Sequence, residues 1–354
     1  MNFKIHPNFH LNGRPVNSLS DLSLAFGDLT NEHLVFLQEF FDEQTFILAR
    51  TSGSTGKPKE IQIAKQNLIN SAQKTIEFFD LQPGTTALLN LSSDFIAGKL
   101  MWIRALTGGW HLDVVPPGND SIARQLANNY YDFGAMVPLQ VYQNLKYISH
   151  VKQLIVGGGA VSTDLQQKLY DLPNRIYATY GMTETLTHIA VKPLNKQAEK
   201  DFYQHENLRD TYRVFTGVKI ATDKRNCLII EAPDIAEKPV HTNDIVEIVD
   251  EKHFRWLGRY DNIINSGAVK LIPEQIEKKL SAYVHVPFFV TGIPDDKLGE
   301  KLVLIIEHKT YELPEFSQIL HKYEVPKQVF FVDNFIRTDS GKIKRGETLK
   351  SLFS

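Results

Sequence analysis

The sequence has little cysteine and no long apolar run. Its single cysteine, Cys227, excludes an intrachain disulfide and any metal site built from several thiolates. Cys227 lies in the apolar run CLIIEA, so we expect a buried, inert thiol, and a reducing compartment such as the cytoplasm suits it. No stretch reaches the roughly 18 apolar residues that span a bilayer. The opening segment, MNFKIHPNFHLNG, has no apolar core of signal-peptide length.

The chain also lacks an excess of charge of either sign. Its 39 Lys and Arg residues nearly balance 41 Asp and Glu residues, which gives a formal net charge of −2. This balance provides no global attraction to nucleic acid or to an anionic membrane, so we expect neither as a partner. With 354 residues, 42% hydrophobic and 23% charged, the chain is typical of a globular protein long enough for two domains.

Segments of strand and helix character alternate along the first half of the sequence. Apolar runs predict strands at 45–49 and 151–156. Apolar positions at helical spacing predict helices at 64–79, 96–106, 142–148 and 162–170, the last with Ser162 as its N-cap. This alternation predicts α/β layers with a largely parallel sheet.

The second half of the sequence has a different pattern. Short apolar runs separated by turns, such as 213–221 and 227–232, predict a β-rich subdomain. Beyond Asp261, helices predicted at 273–283 and 313–322 alternate with strands, which is typical of a small α+β domain. We therefore predict a large N-terminal domain over residues 1–260 and a small, mobile C-terminal domain over residues 261–354.

A Gly-rich stretch, TSGSTGKPK at residues 51–59, follows the first buried strand. Its glycines let the backbone turn sharply, and its hydroxyls and cations suit a phosphate-like anion. The residues concerned are Thr51, Ser52, Gly53, Ser54, Thr55, Gly56, Lys57 and Lys59. It is not a Walker A loop, because only two residues separate the glycines and Pro58 follows Lys57. A flexible surface turn is the alternative interpretation.

Three further segments carry candidate ligand-binding residues. Ligands in α/β sheets bind beyond the carboxyl ends of strands, and YGMTET at 180–185 places a hydroxyl, Thr183, beside a carboxylate, Glu184. Glu184 is a candidate Mg²⁺ ligand and Thr183 a candidate phosphate contact; a helix capped by Thr183 is the alternative. The glycines at 157–159 form either a tight turn or a wall for a flat ring. Asp244 either accepts two ribose hydroxyls or is a turn residue.

The tail RTDSGKIKR, at residues 337–345, places Lys342 on a Ser-Gly turn among other cations. A mobile lysine of this kind is suited to stabilise negative charge that develops in a transition state. A solvated basic tail is the alternative, because charge runs usually are solvated.

In their order and residue sequence, these motifs resemble those of the adenylate-forming superfamily of acyl-CoA synthetases, peptide-synthetase adenylation domains and luciferases. The resemblance runs from about Phe46 to the end. TSGSTGKPK resembles the phosphate loop of that family, YGMTET its Y-G-x-T-E motif, and RTDSGKIKR its catalytic-lysine motif. HTNDIVEI resembles its T-G-D segment, with Asn243 where Gly is usual, and residues 258–277 resemble its hinge and thiol-side motif.

The resemblance implies two half-reactions and assigns residues to them. A carboxylate attacks the α-phosphate of ATP to give an acyl-adenylate and pyrophosphate, and a thiol, usually coenzyme A, then displaces AMP. Residues 51–59 are expected to hold the β- and γ-phosphates, Thr183 the α-phosphate and Glu184 the Mg²⁺ ion. The other assigned residues are Gly158, Gly159, Ala160, Tyr180, Gly181, Asp244 and Arg259 for the nucleotide, Asp261 for the hinge, Lys342 for adenylation and Gly267 for coenzyme A.

The chain departs from the family pattern in two places. The phosphate loop begins at residue 51, whereas family members usually have a much longer preceding region, so the core must be trimmed or completed differently. Many acyl- and aryl-CoA ligases also carry P-x-x-H-x-x-G after the loop. The matching stretch is LSSDFIAG, with Phe95 in place of His, which puts the usual aromatic gate in doubt.

Within the family, DFIAGKLMWIRAL at residues 94–106 resembles the short o-succinylbenzoate–CoA ligases of menaquinone biosynthesis. Their aryl dicarboxylate substrate has a second carboxylate that needs a cation, for which Lys99 and Arg104 are candidates; a solvated helix face is the alternative. Two other functions stay open: an enzyme that loads another acid onto coenzyme A or a carrier protein, and a non-catalytic nucleotide-binding relic. By analogy with the family, a homodimer is expected.

Overall fold

The computed structural model describes residues 3–24, 30–50, 60–203, 205–337 and 343–353. The first half of the chain forms β1 (His10–Leu11), β2 (Arg14–Pro15), α1 (Leu19–Leu24), α2 (Asn31–Phe41), β3 (Phe46–Arg50), β4 (Glu60–Ala64), α3 (Lys65–Phe78), β5 (Thr86–Leu89), α4 (Ile96–Gly108), β6 (His111–Val114), α5 (Asn119–Asn128), β7 (Tyr131–Met136), α6 (Pro138–Gln143), β8 (Val151–Val156), α7 (Thr163–Leu169) and β9 (Arg175–Gly181).

The second half forms β10 (His188–Pro193), α8 (Lys196–Phe202), β11 (Tyr212–Val214), β12 (Lys219–Thr222), β13 (Cys227–Glu231), β14 (Val240–Asp250), β15 (His253–Arg259), β16 (Ile264–Ser266), β17 (Val269–Leu271), α9 (Pro273–Leu280), β18 (Phe288–Asp295), β19 (Gly299–Glu307), α10 (Phe316–Ile319), β20 (Gln328–Val332) and α11 (Arg345–Leu352). Among the described residues, no helix is long and apolar enough to cross a membrane.

One continuous sheet of 13 strands organises the larger part of the molecule. Its order is β12-β13-β14-β15-β11-β10-β9-β8-β7-β5-β6-β1-β2. The strands from β9 to β1 run parallel, and those from β9 to β12 are antiparallel. The predicted α/β class is confirmed. The predicted β-rich subdomain is the antiparallel half of this same sheet.

The short N-terminal region completes one edge of the main sheet. β1 pairs in parallel with β6 and antiparallel with β2, and the side chains of Phe9 and Leu11 are fully buried in the core. Burying these apolar side chains favours the docked strand. The N-terminal residues therefore extend the sheet beyond β6.

Several predicted element boundaries were wrong, each for a local reason. The sequence pattern strand–loop–helix misses β4, which pairs antiparallel with β3. The predicted strand 213–221 is two strands, because Gly217 has a φ of +80° between them. Helix 142–148 is the end of α6 followed by a 3₁₀ helix, Leu145–His150, and helix 313–322 shortens to α10. β10, α8 and α11 were not predicted.

A second, smaller sheet lies at the C-terminal end. β17-β16-β19-β18 are adjacent in that order, and β20 pairs in parallel with β19. α9 buries Ile276 and Leu280 against this sheet in a core that also contains Ile264 and Leu304. The predicted small α+β second unit is confirmed as a separate sheet. The boundary at Asp261 falls in a 3₁₀ turn, Tyr260–Asn262, between the two sheets, and remains a proposal.

α9 also contacts the larger part of the molecule. The Gln275 side-chain amide donates to the Leu257 carbonyl at 2.6 Å. The Thr163 hydroxyl donates to the Ser281 hydroxyl at 2.7 Å, and Lys278 pairs with Asp210. These contacts fix the orientation in which the small sheet is seen.

Candidate active site

The carboxyl ends of the parallel strands form one edge of the main sheet, which is where α/β proteins bind ligands. After β8, the Gly157 amide donates to the Met136 carbonyl at 3.1 Å, and Gly158 turns the chain with a φ of +79°. Gly158, Gly159 and Ala160 are exposed at this edge. The predicted tight turn and the predicted wall for a ring are both compatible with this placement.

The YGMTET segment spans the end of β9 and a 3₁₀ turn, Thr183–Thr185. A side chain at Gly181 would place its Cβ 2.1 Å from the Thr187 carbonyl oxygen, so only glycine fits there. The Thr185 hydroxyl donates to that same carbonyl at 2.8 Å and fixes the turn, on which Glu184 is exposed. β10 follows the turn, so the alternative prediction of a helix capped by Thr183 is wrong.

Three of the five predicted motifs meet at Asp244. The Tyr180 hydroxyl donates to Asp244 Oδ2 at 2.7 Å, and Trp256 Nε1 donates to Oδ1 at 3.1 Å. A guanidinium nitrogen of Arg259, directly opposite on β15, lies 3.5 Å from Oδ1. Asp244 is only 6% exposed and lies within β14, so the alternative prediction of a turn residue is wrong.

The electrostatics of this cluster keep its donors protonated. Burial raises the pKa of the Tyr180 phenol far above its usual value, and the charge of Asp244 and the hydrogen bond to it act in the same direction. Burial lowers the pKa of Arg259, but the Asp244 and Asp261 carboxylates outweigh it and raise the pKa. Tyr180 and Arg259 therefore both stay donors to the carboxylate at neutral pH.

A second carboxylate, Asp261, lies beside this cluster. The Asn243 side-chain amide donates to its two oxygens at 3.1 and 3.3 Å, and Arg259 donates to Oδ2 at 3.1 Å. The Arg225 guanidinium donates to the Asn243 side-chain oxygen at 3.1 Å and lies 4.9 Å from the Tyr260 ring centre. The predicted hinge residue is therefore linked to the predicted ribose site.

Sequence reasoning missed Trp256 and Arg225. Trp256 reaches Asp244 only through the pairing of β14 with β15, and the sole hint in the sequence is its position three residues before Arg259. Arg225 lies in the turn between β12 and β13, where a basic residue gives no signal of its own.

Lys99 and Arg104 lie inside the molecule, so the predicted alternative of a solvated helix face is wrong. Ten of the 13 residues of α4 are buried, these two included. The Lys99 ammonium lies 3.7 Å from the Glu39 carboxylate and 4.7 Å from the centre of the Phe36 ring. Burial lowers the pKa of Lys99, although the Glu39 carboxylate acts in the opposite direction.

Arg104 is a buried cation without a carboxylate partner among the described residues. It is 2% exposed, and one terminal nitrogen lies 3.5 Å from the Met101 sulfur. Its Nε and second terminal nitrogen have no hydrogen-bond partner in the part of the chain that the structure describes. Burial lowers its pKa to about 9, so the guanidinium still carries its charge at neutral pH.

His188 is the ionisable neighbour of Arg104. Its Nε2 lies 3.2 Å from the Thr75 hydroxyl, and its Nδ1 lies 3.2 Å from the Thr187 hydroxyl. Burial, together with the positive charge of Arg104, holds the pKa of His188 well below its usual value. A neutral imidazole close to the Arg104 guanidinium therefore lies at the start of β10, shortly after the YGMTET turn.

Two comparisons decide the family. The family model described as "AMP-binding enzyme" matches residues 37–211. A solved structure from Dyadobacter fermentans, an acyl-CoA synthetase (AMP-forming)/AMP-acid ligase II-like protein, is 33% identical and has a TM-score of 0.60, with 92% of this chain and 96% of that chain covered. This chain belongs to the AMP-binding enzyme family. The predicted membership of the adenylate-forming superfamily is confirmed.

Other AMP-binding enzymes resemble the chain at lower identity. The 2-succinylbenzoate–CoA ligase of Listeria monocytogenes is 26% identical over 344 residues, which cover 86% of this chain and 69% of that protein. The O-succinylbenzoate coenzyme A synthetase of Bacillus subtilis, solved in complex with ATP and magnesium ion, is 18% identical with a TM-score of 0.72. That alignment covers 85% of this chain and 69% of the other, and at this identity it supports the fold alone.

Some predicted site residues of this AMP-binding enzyme lie outside the described residues or away from the Asp244 cluster. The Gly-rich stretch 51–59 and Lys342 belong to the first group. Gly267 lies in the turn between β16 and β17, where its amide donates to the Leu298 carbonyl at 2.7 Å. Phe95, which replaces the expected histidine, precedes α4 and is 58% exposed.

The residues present fit a nucleotide–Mg²⁺ complex. Mg²⁺ binds one or two carboxylates together with phosphate oxygens and water, and Glu184 offers one exposed carboxylate at the strand edge. No group of three or more His, Cys, Asp or Glu side chains that could hold a metal occurs within the described ranges. The metal would therefore rely on phosphate oxygens for most of its ligands.

Proposed function

We propose that this chain is an ATP-dependent acid–coenzyme A ligase that acts on 2-succinylbenzoate, as the ligases of menaquinone biosynthesis do. The observation that carries the proposal is that Tyr180 and Arg259, from two other motifs, converge on the buried carboxylate of Asp244 at the strand edge. The relatives named 2-succinylbenzoate–CoA ligase support the choice of acid.

In the first half-reaction, a carboxylate oxygen of the acid attacks the α-phosphorus of ATP, and the bond to pyrophosphate breaks. Asp244 accepts hydrogen bonds from the ribose hydroxyls, and Thr183 donates one to the α-phosphate. Residues 51–59 hold the β- and γ-phosphates. Lys342 stabilises the charge that develops on the transferred group. Glu184 would hold the Mg²⁺ ion, which would neutralise phosphate charge. Nucleotidyl transfer depends on such positioning and charge neutralisation more than on covalent help from the protein.

In the second half-reaction, the thiolate of coenzyme A attacks the acyl carbon of the adenylate, and AMP leaves. We propose that residues 261–354 turn about Asp261 between the two steps and bring Gly267 beside the pantetheine arm. Hinges of this kind are a few residues that absorb a backbone change. The rotation would have to break the contacts of α9 with Leu257, Thr163 and Asp210.

Arg104 is the stronger candidate for binding the second carboxylate of the acid. Lys99 already has Glu39 as a partner, whereas the Arg104 guanidinium has two nitrogens without partners among the described residues. An unpaired buried charge is costly, and a carboxylate beside it would relieve that cost. A dicarboxylate such as 2-succinylbenzoate offers the required group after its first carboxylate has reacted.

The proposal is tested by pyrophosphate release from ATP and Mg²⁺ with a panel of acids, each with and without coenzyme A. The panel holds 2-succinylbenzoate, benzoate, a medium-chain fatty acid and several amino acids. Turnover with 2-succinylbenzoate that requires coenzyme A supports the proposal. Preference for another acid, or transfer to a carrier protein, would overturn the proposed acid or thiol acceptor but leave the adenylate-forming mechanism in place. Binding of AMP without turnover of any acid in the panel would favour the nucleotide-binding relic.

Lys342→Ala separates catalysis from nucleotide binding. We expect it to lower pyrophosphate release by about 10²–10³-fold, the range for loss of one charge-stabilising group, while AMP binding stays within about threefold. Lys344→Ala is the matched control, because Lys344 pairs with Glu347 at the start of α11. Equal losses in both variants would argue against a catalytic lysine at position 342.

We also propose, by analogy with the family, that the chain acts as a homodimer in a reducing compartment such as the cytoplasm. The buried Cys227 thiol suits such a compartment. Light scattering tests the association state: a mass of 40.3 kDa would show a monomer and twice that mass a dimer.

A further inference from the structure

Trp256 lies outside every motif that points to the nucleotide, yet it donates its indole N–H to Asp244 Oδ1 at 3.1 Å. It is half-buried on β15, where it pairs opposite Val246. Val246 and Asp244 are two residues apart on β14, so their side chains lie on the same face of the sheet. Trp256 therefore shares that face with Asp244.

This arrangement depends on an irregularity in β15. Asp244 pairs with Arg259 and Ile245 with Gly258, so a regular ladder would place Leu257 opposite Val246. The register shifts at this point, and Trp256 takes the position instead, with Leu257 as the extra residue. Such bulges redirect side chains and often occur beside active sites. In a regular strand, Trp256 and Arg259, which are three residues apart, would point to opposite faces, whereas the bulge lets both lie on the face of Asp244.

The donors to Asp244 are divided between its two oxygens. Trp256 donates to Oδ1, and the Tyr180 hydroxyl donates to Oδ2 at 2.7 Å. An ionised carboxylate has about four acceptor positions, two on each oxygen. The two short bonds therefore leave one acceptor position on each oxygen. Arg259 lies 3.5 Å from Oδ1, and this long contact would have to break for a ribose hydroxyl to bind there.

We propose that Trp256, together with Tyr180, is a positioning residue that holds the Asp244 carboxylate ready for the two vicinal hydroxyls of a ribose. Trp256 thereby sets the preference of the enzyme for ribonucleotides over deoxyribonucleotides. A carboxylate held by one donor on each oxygen loses little freedom when the hydroxyls bind, whereas a freely rotating one must be ordered. This inference rests on the proposed function, which assigns the ribose to Asp244.

The test is equilibrium binding of AMP, 2′-deoxy-AMP and 3′-deoxy-AMP to the wild type and to Trp256→Phe, because it requires no knowledge of the acid. We expect Trp256→Phe to weaken AMP binding about tenfold and to weaken binding of the deoxynucleotides less. The preference for AMP then falls roughly three- to tenfold, since selectivity for a hydroxyl depends on the group built to bond it. A purely structural role would weaken all three nucleotides equally.

Tyr180→Phe is the second variant, because it removes only the hydroxyl from Oδ2, and the same loss of preference is expected. The matched controls are Trp102→Phe, which removes an indole bond to His33 at 3.1 Å, and Tyr203→Phe, which removes a hydroxyl bond to the Thr211 carbonyl at 3.2 Å. Both controls should keep the wild-type preference, and circular dichroism verifies that each variant is folded.

The two proposals fail in different ways. If the wild type does not bind AMP, the proposed function is wrong. If the wild type prefers AMP and both Trp256→Phe and Tyr180→Phe keep that preference in full, the ribose site stands and the positioning role is overturned.

Discussion

The Asn243 side-chain amide donates to both carboxylate oxygens of Asp261, at 3.1 and 3.3 Å. Asn243 occupies the position at which the related T-G-D motif usually has glycine, which has no side chain to make this contact. Because we propose Asp261 as the hinge, Asn243 is placed to hold the hinge in the orientation that the structure shows.

We expect Asn243→Ala to loosen that orientation. The contact is exposed, so its loss should shift the equilibrium away from the observed orientation about two- to fivefold, as expected for a surface polar pair. Limited proteolysis of the segment around residues 250–275 should therefore become about two- to fivefold faster. Asn128→Ala is the matched control, since that exposed amide bonds only the Arg124 carbonyl in its own helix. Equal cleavage rates for Asn243→Ala and the wild type would show that Asn243 does not hold the hinge.

Arg104→Met should make the protein more stable and a poorer enzyme. A buried guanidinium with two nitrogens that lack partners in the described part of the chain costs free energy, and a methionine of similar length removes that cost. We expect the free energy of unfolding in urea to rise by about 1–2 kcal/mol. The KM for 2-succinylbenzoate should rise by tenfold or more, roughly the loss of one charge-assisted bond, while that for ATP stays the same.

The matched variant is Lys99→Met. It leaves the Glu39 carboxylate without its cation, so we expect lower stability, in contrast to Arg104→Met. If Arg104→Met leaves the KM for the acid unchanged, the second carboxylate binds elsewhere. If it destabilises the protein, Arg104 has a structural partner outside the described residues.

His188 should make the stability of the protein depend on pH below about 6.5. Its pKa is lowered in the folded state by burial and by Arg104, so between that lowered value and 6.5 the unfolded chain binds more protons. The free energy of unfolding then falls as the pH falls through this range, at up to about 1.4 kcal/mol per pH unit.

The measurement is urea unfolding of the wild type and His188→Gln at several pH values from 5 to 7. The variant should be less stable overall, because bonds to Thr75 and Thr187 are lost, but its stability should depend less steeply on pH. His308→Gln, which replaces an exposed histidine, serves as the control. Parallel curves for the wild type and His188→Gln would show that other groups determine the acid sensitivity.

The sequence predicted best those features that a short segment determines by itself. The run 151–156 is β8 as predicted, and the Ser162 hydroxyl accepts from the Leu165 amide as the N-cap of α7. The five motifs likewise indicated the family, because each carries its own local chemistry. Asp244 was predicted as a site residue in this way, from the residues of its own segment.

Features that depend on distant segments were missed. Trp256 reaches Asp244 through cross-strand register, which a pattern along one strand does not contain. Lys99 and Arg104 were assigned a possible solvated face because charged residues usually are exposed, but α4 is enclosed and buries both. β4 was not predicted, because its five residues are too few to show a period of their own.

The extra residue Leu257 serves two neighbours at once. The bulge it forms lets both Trp256 and Arg259 lie on the face of Asp244, and its own carbonyl accepts from Gln275 of α9. If the same sequence paired without the bulge, Trp256 and Arg259 would lie on opposite faces of the sheet, and the Leu257 carbonyl would be redirected as well. The proposed ribose site and the docking of the small sheet therefore depend on the same bulge.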